Sequence, residues 1–278
     1  MKVTILGSGT CGSQLPGVPN RFPPAFLVEW QGERILFDCS EGVRFRLEQA
    51  GYTYADVHHI AISHTHADHN ALVHYIQSIC CWNLWAGPPN NKINIYATKQ
   101  IVDDFPTLWK IYVPDDPDRS RHNWPKLHFF PMPDANASIQ IGSGTLSAVK
   151  VYHGFGKTDA ISFRLETPEG VFVYSGDTGE CEGIRSICRD ADLFICEASA
   201  RIGDLENPGN YGHLHPQIVG DISKQANVKK IVFFHYTGLD ADDAMIADCR
   251  KSGYTGEIVC GKDFEVHEVT RQLAKQPK

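Results

Sequence analysis

Short apolar runs separated by turn residues predict a strand-rich first half of the chain. The runs KVTIL, AFLVEW, RILFD, HHIAIS and KINIYA each predict a β-strand, and the turn QGE between the second and third predicts a hairpin. Apolar residues at helical spacing predict helices in ALVHYIQSICCW and from Thr98 to Trp109. A further helix is predicted from a cap at Ser40 to about Ala50, where Gly51 would end it.

Strands and helices alternate in the second half. Strands are predicted in TLSAVKVYH, AISFRLE, GVFVYSGD, LFICE, IVFFH, GEIVC and FEVHEV. Helices are predicted near 182–188, in DADDAMIADCRKSG, and from Pro216, a residue favoured in first turns, to about Ala226. The segment 112–137 is rich in Pro and Asp, which predicts a long irregular stretch that could cover a functional site. The order predicts an α/β (α+β) fold of two mixed sheets packed face to face, with helices on their outer faces.

Composition favours a globular chain, taken as a single domain over residues 1–278. Of its 278 residues, 42% are hydrophobic and 21% are charged. No apolar run approaches the ~20 residues of a membrane span, and the start MKVTILGSGT lacks the apolar region of a signal peptide. A cytoplasmic location without a membrane partner is expected. The nine cysteines form no CxxC pair, which predicts reduced and mostly buried thiols.

Five apolar runs lead to a side chain that can bind a metal. HHIAIS is followed by His64, AVKVYH ends at His153, and VFVYSGD ends at Asp177. LFICE ends at Glu197, and IVFFH ends at His235. The strand ends of a sheet tend to meet at one edge, where loops build functional sites. These five residues are therefore predicted to form a ring of nitrogen and carboxylate ligands.

The run SHTHADHN, residues 63–70, concentrates three histidines and one aspartate. In an extended stretch His64 and His66 share a face and can reach one metal ion. Asp68 and His69 follow the turn into the next helix and can point to a second ion. Neutral imidazole and carboxylate are ligands for Zn²⁺, Mn²⁺ or Fe²⁺, so the pattern predicts a metal site without choosing the metal. Ordinary core or surface roles are predicted for His58, His59, His74, His122, His128 and His267.

At these residues the sequence resembles the metallo-β-lactamase fold superfamily over nearly the whole chain. HTHADH fits its HxHxDH motif at every fixed position, and YSGDTG fits the motif around its bridging aspartate. His153 and His235 fall where its third and last histidines belong. The stretches LGSGT, FDCSEG, CEAS and the segment 212–216 resemble the ribonuclease Z branch in particular.

The resemblance implies a four-layer αββα sandwich with a dinuclear site for two divalent ions, Zn²⁺ being favoured over Mn²⁺ and Fe²⁺. Asp38 would orient a ligand imidazole by a hydrogen bond. The relatives also suggest a homodimer. The implied ligands are His64, His66 and His153 for one ion, Asp68, His69 and His235 for the other, and Asp177 as the bridge between them.

The connection from His153 to Asp177 departs from ribonuclease Z. That branch carries a long protruding arm there, which grips tRNA, whereas this chain has only the short hairpin GFGKTDAISFRLETPEGVFVYSG. The formal net charge of −7 and the pI near 6.0 also disfavour long-range steering of a polyanion. A long tRNA-type substrate is therefore not expected, and a small-molecule or nucleotide phosphodiester is.

The predicted function is a metal-dependent phosphodiesterase that acts through a hydroxide bridging the two ions. Asp68 would orient this nucleophile and accept its proton, while His213 would protonate the leaving group and Glu197 would hold the His213 ring. An acyl hydrolase with the same ions, a lactonase or β-lactamase, is the first alternative, and a non-hydrolytic metal-binding protein is the second. The Glu197–His213 pairing favours phosphodiesters, because it resembles the ribonuclease Z branch.

Overall fold

Two seven-stranded β-sheets form the centre of the computed structural model. It describes residues 1–271 except 12–15, 19, 87–89, 91, 121–122, 134–137 and 204–210. The strands are β1 (Lys2–Gly7), β2 (Ala25–Trp30), β3 (Glu33–Phe37), β4 (His59–Ile62), β5 (Lys92–Ala97), β6 (Lys126–Pro131), β7 (Ile139–Ile141), β8 (Gly144–Val151), β9 (Ala160–Thr167), β10 (Gly170–Tyr174), β11 (Leu193–Glu197), β12 (Lys230–Phe234), β13 (Glu257–Cys260) and β14 (Val266–Glu268). The helices are α1 (Val43–Gln49), α2 (Leu72–Trp85), α3 (Lys99–Tyr112), α4 (Glu182–Ile187), α5 (Pro216–Gln225) and α6 (Asp242–Arg250).

Both sheets are mixed, and they divide the chain almost in sequence order. The first sheet runs β14-β1-β2-β3-β4-β5-β6, antiparallel from β14 to β3 and parallel from β3 to β6. The second runs β13-β12-β11-β10-β9-β8-β7, with β10 to β13 parallel and β7 to β10 antiparallel. Only β14 returns from the end of the described chain to the first sheet, where it pairs with β1.

Three apolar layers confirm the predicted αββα sandwich. Side chains from the facing sides of both sheets form the central layer, in which Phe26 lies 5.1 Å from Phe234 and Phe37 lies 5.0 Å from Phe172 between ring centroids. The opposite face of the first sheet packs against α1, α2 and α3, and that of the second against α4, α5 and α6. Alternate residues of a strand point to opposite faces, so each strand serves an inner and an outer layer. Among the described residues, no helix is long and apolar enough to cross a membrane.

The predicted helices and strands are present, with two corrections. The segment 112–137 is not irregular throughout, because residues 126–131 form β6, which pairs in parallel with β5 from Lys92 to Ala97. An edge strand of this kind is stabilised by its ladder with a distant neighbour, which the local pattern does not show. Ser40 does not cap α1: Gly42 occupies the cap position at φ 78°, and the Ser40 hydroxyl donates to the Pro23 carbonyl at 3.3 Å.

Other local predictions are confirmed. The Thr98 hydroxyl accepts a hydrogen bond from the Ile101 amide at 3.3 Å and so caps α3. All nine cysteines are free thiols, and six of them are buried, among them Cys39, Cys196 and Cys260. The expectation for His122 lies outside the described residues.

Truncating a ring between the sheets should cost much of the stability. Phe172→Ala removes a fully buried side chain from the central layer, and we expect the free energy of unfolding to fall by about 3–5 kcal/mol. Phe45→Ala is the control, because the Phe45 ring is 52% exposed and its loss should cost no more than about 0.5 kcal/mol. Urea denaturation of both variants measures the difference, and equal midpoints would contradict the assigned layer.

Candidate metal centre

The predicted strand ends do meet. His64 follows β4 of the first sheet, while His153, Asp177, Glu197 and His235 follow or end β8, β10, β11 and β12 of the second. These four strands of the second sheet point the same way, so their carboxyl ends lie at one edge, facing the end of β4. The site therefore lies at the seam between the two sheets and draws side chains from both.

One group of donor atoms comprises His64, His66, His153 and Asp177, whose ligand atoms all lie within 4.8 Å of one another. His153 Nε2 is 3.2 Å from His66 Nδ1. Both His64 Nε2 and His153 Nε2 are 3.8 Å from Asp177 Oδ2. Three imidazoles and a carboxylate at this spacing could hold a divalent cation such as Zn²⁺.

A second group comprises Asp68, His69 and His235, again within 4.8 Å. Asp68 Oδ2 is 3.3 Å from His235 Nε2 and 3.7 Å from His69 Nε2. Asp177 reaches this group too, since its Oδ1 is 3.3 Å from His69 Nε2 and its Oδ2 is 3.3 Å from His235 Nε2. The Asp177 carboxylate thus lies between the two groups and contacts both.

Buried polar atoms without a hydrogen-bond partner indicate that these residues fit a metal ion. His64 Nε2, His69 Nε2 and Asp177 Oδ1 are buried side-chain atoms without a hydrogen-bond partner. Leaving such polar atoms unsatisfied is costly. His64 belongs to the first donor group and His69 to the second, while Asp177 contacts both, so divalent cations held by the two groups would satisfy all three atoms.

In four of the five imidazoles of the two donor groups, all but that of His66, the protein holds the other ring nitrogen. His64 Nδ1 lies 3.0 Å from Ser63 Oγ, His153 Nδ1 lies 3.0 Å from the Gly212 carbonyl, and His235 Nδ1 lies 2.6 Å from Ser199 Oγ. Such partners fix the orientation of the ring and direct Nε2 toward a metal.

Asp38 is the fourth of these partners and the most connected. Its Oδ2 accepts hydrogen bonds from His69 Nδ1 at 2.6 Å, from the Ser63 hydroxyl at 2.9 Å and from the Tyr174 hydroxyl. Its Oδ1 accepts from the Ser63 amide at 2.7 Å. Asp38 is fully buried and has a left-handed backbone with φ 56°, a strain that such sites retain.

Burial and neighbouring charges set the protonation of the cluster. Burial holds the pKa of His64 well below its usual value and also lowers that of His153, so both rings are neutral at pH 7 and free to offer a nitrogen lone pair. Burial alone would raise the pKa of Asp68, but the hydrogen bond from His235 and the nearby rings lower it to about 2. Burial opposes charge on His69 as well, yet Asp177 and Asp38 raise its pKa well above the usual value. A metal ion at Nε2 would take the place of that proton.

Glu197 and His213 form a pair beside the donor groups. His213 Nδ1 is 2.8 Å from Glu197 Oε1, which also accepts from the Thr178 amide at 2.8 Å. Glu197 Oε2 accepts from the Ser199 amide at 3.0 Å. Burial opposes charge on the His213 ring, but the carboxylate of Glu197 raises its pKa to about 9. The ring is therefore protonated at neutral pH. His213, Asp177 and His235 also form a third group that could hold a metal, with ligand atoms within 4.8 Å of one another.

The structure brings together every residue that the sequence singles out for the site. Their role as ligands stays a prediction, and so do the catalytic roles of Asp68, His213 and Glu197. Sequence reasoning missed Ser63, Ser199 and Tyr174, which support the imidazoles and Asp38. None of the histidines given ordinary roles, as far as the structure describes them, joins a group that could hold a metal.

The model of one protein family, described as the β-lactamase superfamily domain, matches residues 33–236. The chain belongs to the β-lactamase superfamily. The predicted resemblance is thereby confirmed, and the matched residues include every candidate ligand of the metal centre.

Relatives and solved structures agree with membership of the superfamily. Ribonuclease Z of Streptomyces avermitilis is 26% identical over an alignment 292 positions long, which covers 95% of this chain and 96% of the relative. The metallo-β-lactamase fold protein YhfI from Bacillus subtilis superposes with a TM-score of 0.78 at 20% identity, over 96% of this chain and 98% of that one. The short form of human tRNase Z gives a TM-score of 0.72 at 21% identity, over 98% of this chain and 100% of that one. The two structures show the fold that this chain shares.

Replacing Asp38 should weaken metal binding without touching a donor atom. All four hydrogen-bonding groups around the Asp38 carboxylate are donors. In Asp38→Asn, an amide nitrogen that is itself a donor would replace one carboxylate oxygen and would face one of these groups. The His69 ring would then lose the hydrogen bond that holds it. We expect metal affinity to fall about 10- to 100-fold. Asp192→Asn is the matched control, since the Asp192 carboxylate is also buried and accepts from the Val171 amide at 2.8 Å, remote from the donor groups. Competition with a chelating dye measures both affinities, and an equal loss in the two variants would contradict the role of Asp38.

Proposed function

We propose that this protein is a dinuclear metal-dependent phosphodiesterase. One ion would be held by His64, His66 and His153, and the other by Asp68, His69 and His235, with Asp177 between them. The observation that carries this proposal is the position of the Asp177 carboxylate, whose oxygens lie 3.3–3.8 Å from imidazole nitrogens of both groups. Zn²⁺ is the metal we expect, because the donors are nitrogen and carboxylate oxygen.

When bound, the two ions would supply a hydroxide nucleophile at neutral pH and offset negative charge on the phosphoryl oxygens. Asp68 would accept the proton of the attacking group, since its low pKa keeps the carboxylate ionised and its Oδ2 faces the second donor group. His213 would donate a proton to the departing oxygen, because its pKa of about 9 keeps the ring protonated at neutral pH. Glu197 would hold that ring in place through Nδ1, leaving Nε2 as the donor.

The protonated His213 is the feature that favours phosphodiesters over lactones and β-lactams. The oxygen that leaves a phosphodiester is a poor leaving group without a proton, and His213 lies beside the donor groups where it could supply one. The ribonuclease Z relatives support the same reaction, since a ribonuclease cleaves RNA, whose backbone is a phosphodiester. We infer that hydrolysis of a phosphodiester is the reaction.

A small or nucleotide phosphodiester fits this chain better than a long tRNA. The connection between His153 and Asp177 is a 3-10 turn and the hairpin of β9 and β10, with β9 ending at Thr167 and β10 beginning at Gly170. No protruding arm is present in this fully described connection. The net charge of −7 also gives a long polyanion little attraction at a distance.

A substrate panel tests the proposed reaction. The Zn²⁺-loaded and Mn²⁺-loaded protein should hydrolyse bis(p-nitrophenyl) phosphate at a rate well above that for an acyl homoserine lactone or a chromogenic cephalosporin. A tRNA precursor with a 3′ trailer should be cut slowly or not at all. Preferential turnover of the lactone or the cephalosporin would overturn the phosphodiesterase assignment, and efficient trailer removal would overturn the proposed preference for small substrates.

A further inference from the structure

Two partly exposed aromatic rings lie beside the first group of donor atoms. The Phe155 and Tyr211 rings are 52% and 40% exposed, and their centroids lie 4.9 Å apart at an interplanar angle of 87°. The Tyr211 ring lies 6.0 Å from the His66 ring at an angle of 23°, and 5.3 Å from the His153 ring. Neither aromatic ring belongs to the donor groups or to the Glu197–His213 pair.

Both rings are placed at a conformational cost. Phe155 has φ 56° and Tyr211 has φ 65°, in the left-handed region where a Cβ is disfavoured and glycine would be relaxed. Both rings also leave much apolar surface in water. Each side chain is thus unfavourable for folding in two ways. The contact between the two rings, and those of Tyr211 with the His66 and His153 rings, act in the opposite direction. Strain of this kind persists at sites where a side chain serves binding or catalysis.

The backbone around the two rings is closely fitted. The Gly154 amide donates to the Tyr211 carbonyl at 2.9 Å, which ties the turn after His153 to the loop before His213. A Cβ on Gly154 would lie 2.0 Å from Thr158 Oγ1, and one on Gly212 would lie 2.9 Å from the His153 Cα. A glycine therefore adjoins each aromatic residue where the two loops approach each other. The Tyr211 ring lies against the His66 and His153 rings, and the Phe155 ring lies against Tyr211.

We propose that Phe155 and Tyr211 form an aromatic platform that stacks the nucleobase of a nucleotide substrate beside the metal centre. The two rings are nearly perpendicular, so a planar heteroaromatic ring can stack on the face of one and contact the edge of the other. Stacking of this kind tolerates any base. The phosphate of the same nucleotide would then lie at the donor groups, because the Tyr211 ring lies next to the His66 and His153 rings. This inference rests on the proposed phosphodiesterase function and names its substrate class.

Binding of two matched ligands tests the platform without turnover. AMP and ribose 5-phosphate carry the same phosphate and sugar, and only AMP has a base. Isothermal titration calorimetry with the Zn²⁺-loaded protein should show AMP binding roughly 5- to 100-fold more tightly than ribose 5-phosphate. Phe155→Leu, which keeps the apolar volume, and Tyr211→Ala should each reduce AMP affinity by a factor in that range. Both variants should bind ribose 5-phosphate as the wild type does.

Control variants separate stacking from folding and from metal loss. Phe45→Ala removes a ring as exposed as that of Phe155, but one whose ring contact is with Arg44, and it should keep the wild-type preference for AMP. Tyr211→Phe retains the ring and should keep the preference too, while metal analysis of each variant should give wild-type content.

The outcomes for the platform and for the reaction are distinguishable. Equal affinities for AMP and ribose 5-phosphate in the wild type, or an unchanged ratio in both ring variants, would overturn the platform even if phosphodiesters are hydrolysed. A base preference that depends on the two rings would support the platform even if the substrate panel shows no phosphodiester turnover, in which case the proposed reaction alone fails.

Discussion

Asp177→Ala should abolish hydrolysis and remove at least one metal ion from each chain. The Asp177 carboxylate lies between both donor groups, with its oxygens 3.3 Å from His69 Nε2 and from His235 Nε2. Without it, His64, His66 and His153 would still offer three donors to one ion, but no side chain would link the two proposed ions or offset their mutual repulsion. We expect the rate on a phosphodiester to fall by on the order of 10³ or more.

Elemental analysis of dialysed protein, read together with the rate, checks this prediction. Asp248→Ala is the control, because the Asp248 residue is likewise only 4% exposed and its carboxylate pairs with Lys251 at 2.7 Å on α6, away from the site. The control should retain the wild-type metal content and rate. Full occupancy of two ions in Asp177→Ala would refute the bridging assignment.

His213→Ala should lower the phosphodiester rate by about 10²- to 10⁴-fold while the metal content stays unchanged. The wild-type rate should fall as the pH rises through about 9, because His213 acts as an acid only while it is protonated. This decrease in rate, the alkaline limb of the pH–rate profile, should be absent in His213→Ala. The loss should be smallest for substrates whose leaving group needs no proton, such as p-nitrophenolate.

Glu197→Gln is a second variant that tests His213 as the acid, because it should shift the alkaline decrease in rate in a known direction. The Glu197 carboxylate raises the pKa of His213, so its removal should lower that pKa and move the alkaline limb to lower pH. A pH–rate profile from pH 6 to about 10.5 measures the limb in all three proteins. An unchanged limb in Glu197→Gln would exclude His213 as the acid, and a loss of metal in His213→Ala would make it a ligand instead.

The candidate site was predictable because its donors follow strands. An apolar run that ends on His, Asp or Glu is a local pattern, and the fold brings such ends to one edge. His64, His153, Asp177 and His235 all follow this rule. The partners of the imidazoles follow no local pattern: the Gly212 carbonyl is 59 residues from His153, and Tyr174 is 136 residues from Asp38. Only the packing of the two sheets brings them within hydrogen-bond distance.

The strand β6 was missed for a similar physical reason. None of its residues Lys126–Pro131 is fully buried, and prolines stand at its end and beside its start. The ladder with β5 stabilises it, and the two strands are far apart in the sequence: Lys92 lies opposite Lys126, which is 34 residues later. The residues of β6 alone therefore do not predict the strand. The left-handed conformations of Phe155 and Tyr211 were also unpredictable, because non-glycine residues rarely adopt them.

An ion bound at the seam between the sheets would couple metal binding to folding. The first sheet presents His64 and its neighbours through His69, and the second presents His153, Asp177 and His235, so such an ion would join the layers and would have no comparable site in the unfolded chain. By mass action, each tenfold rise in free ion above its dissociation constant would add about 1.4 kcal/mol per ion to the native state. The thermal midpoint would then be a property of the surrounding medium as well as of the sequence.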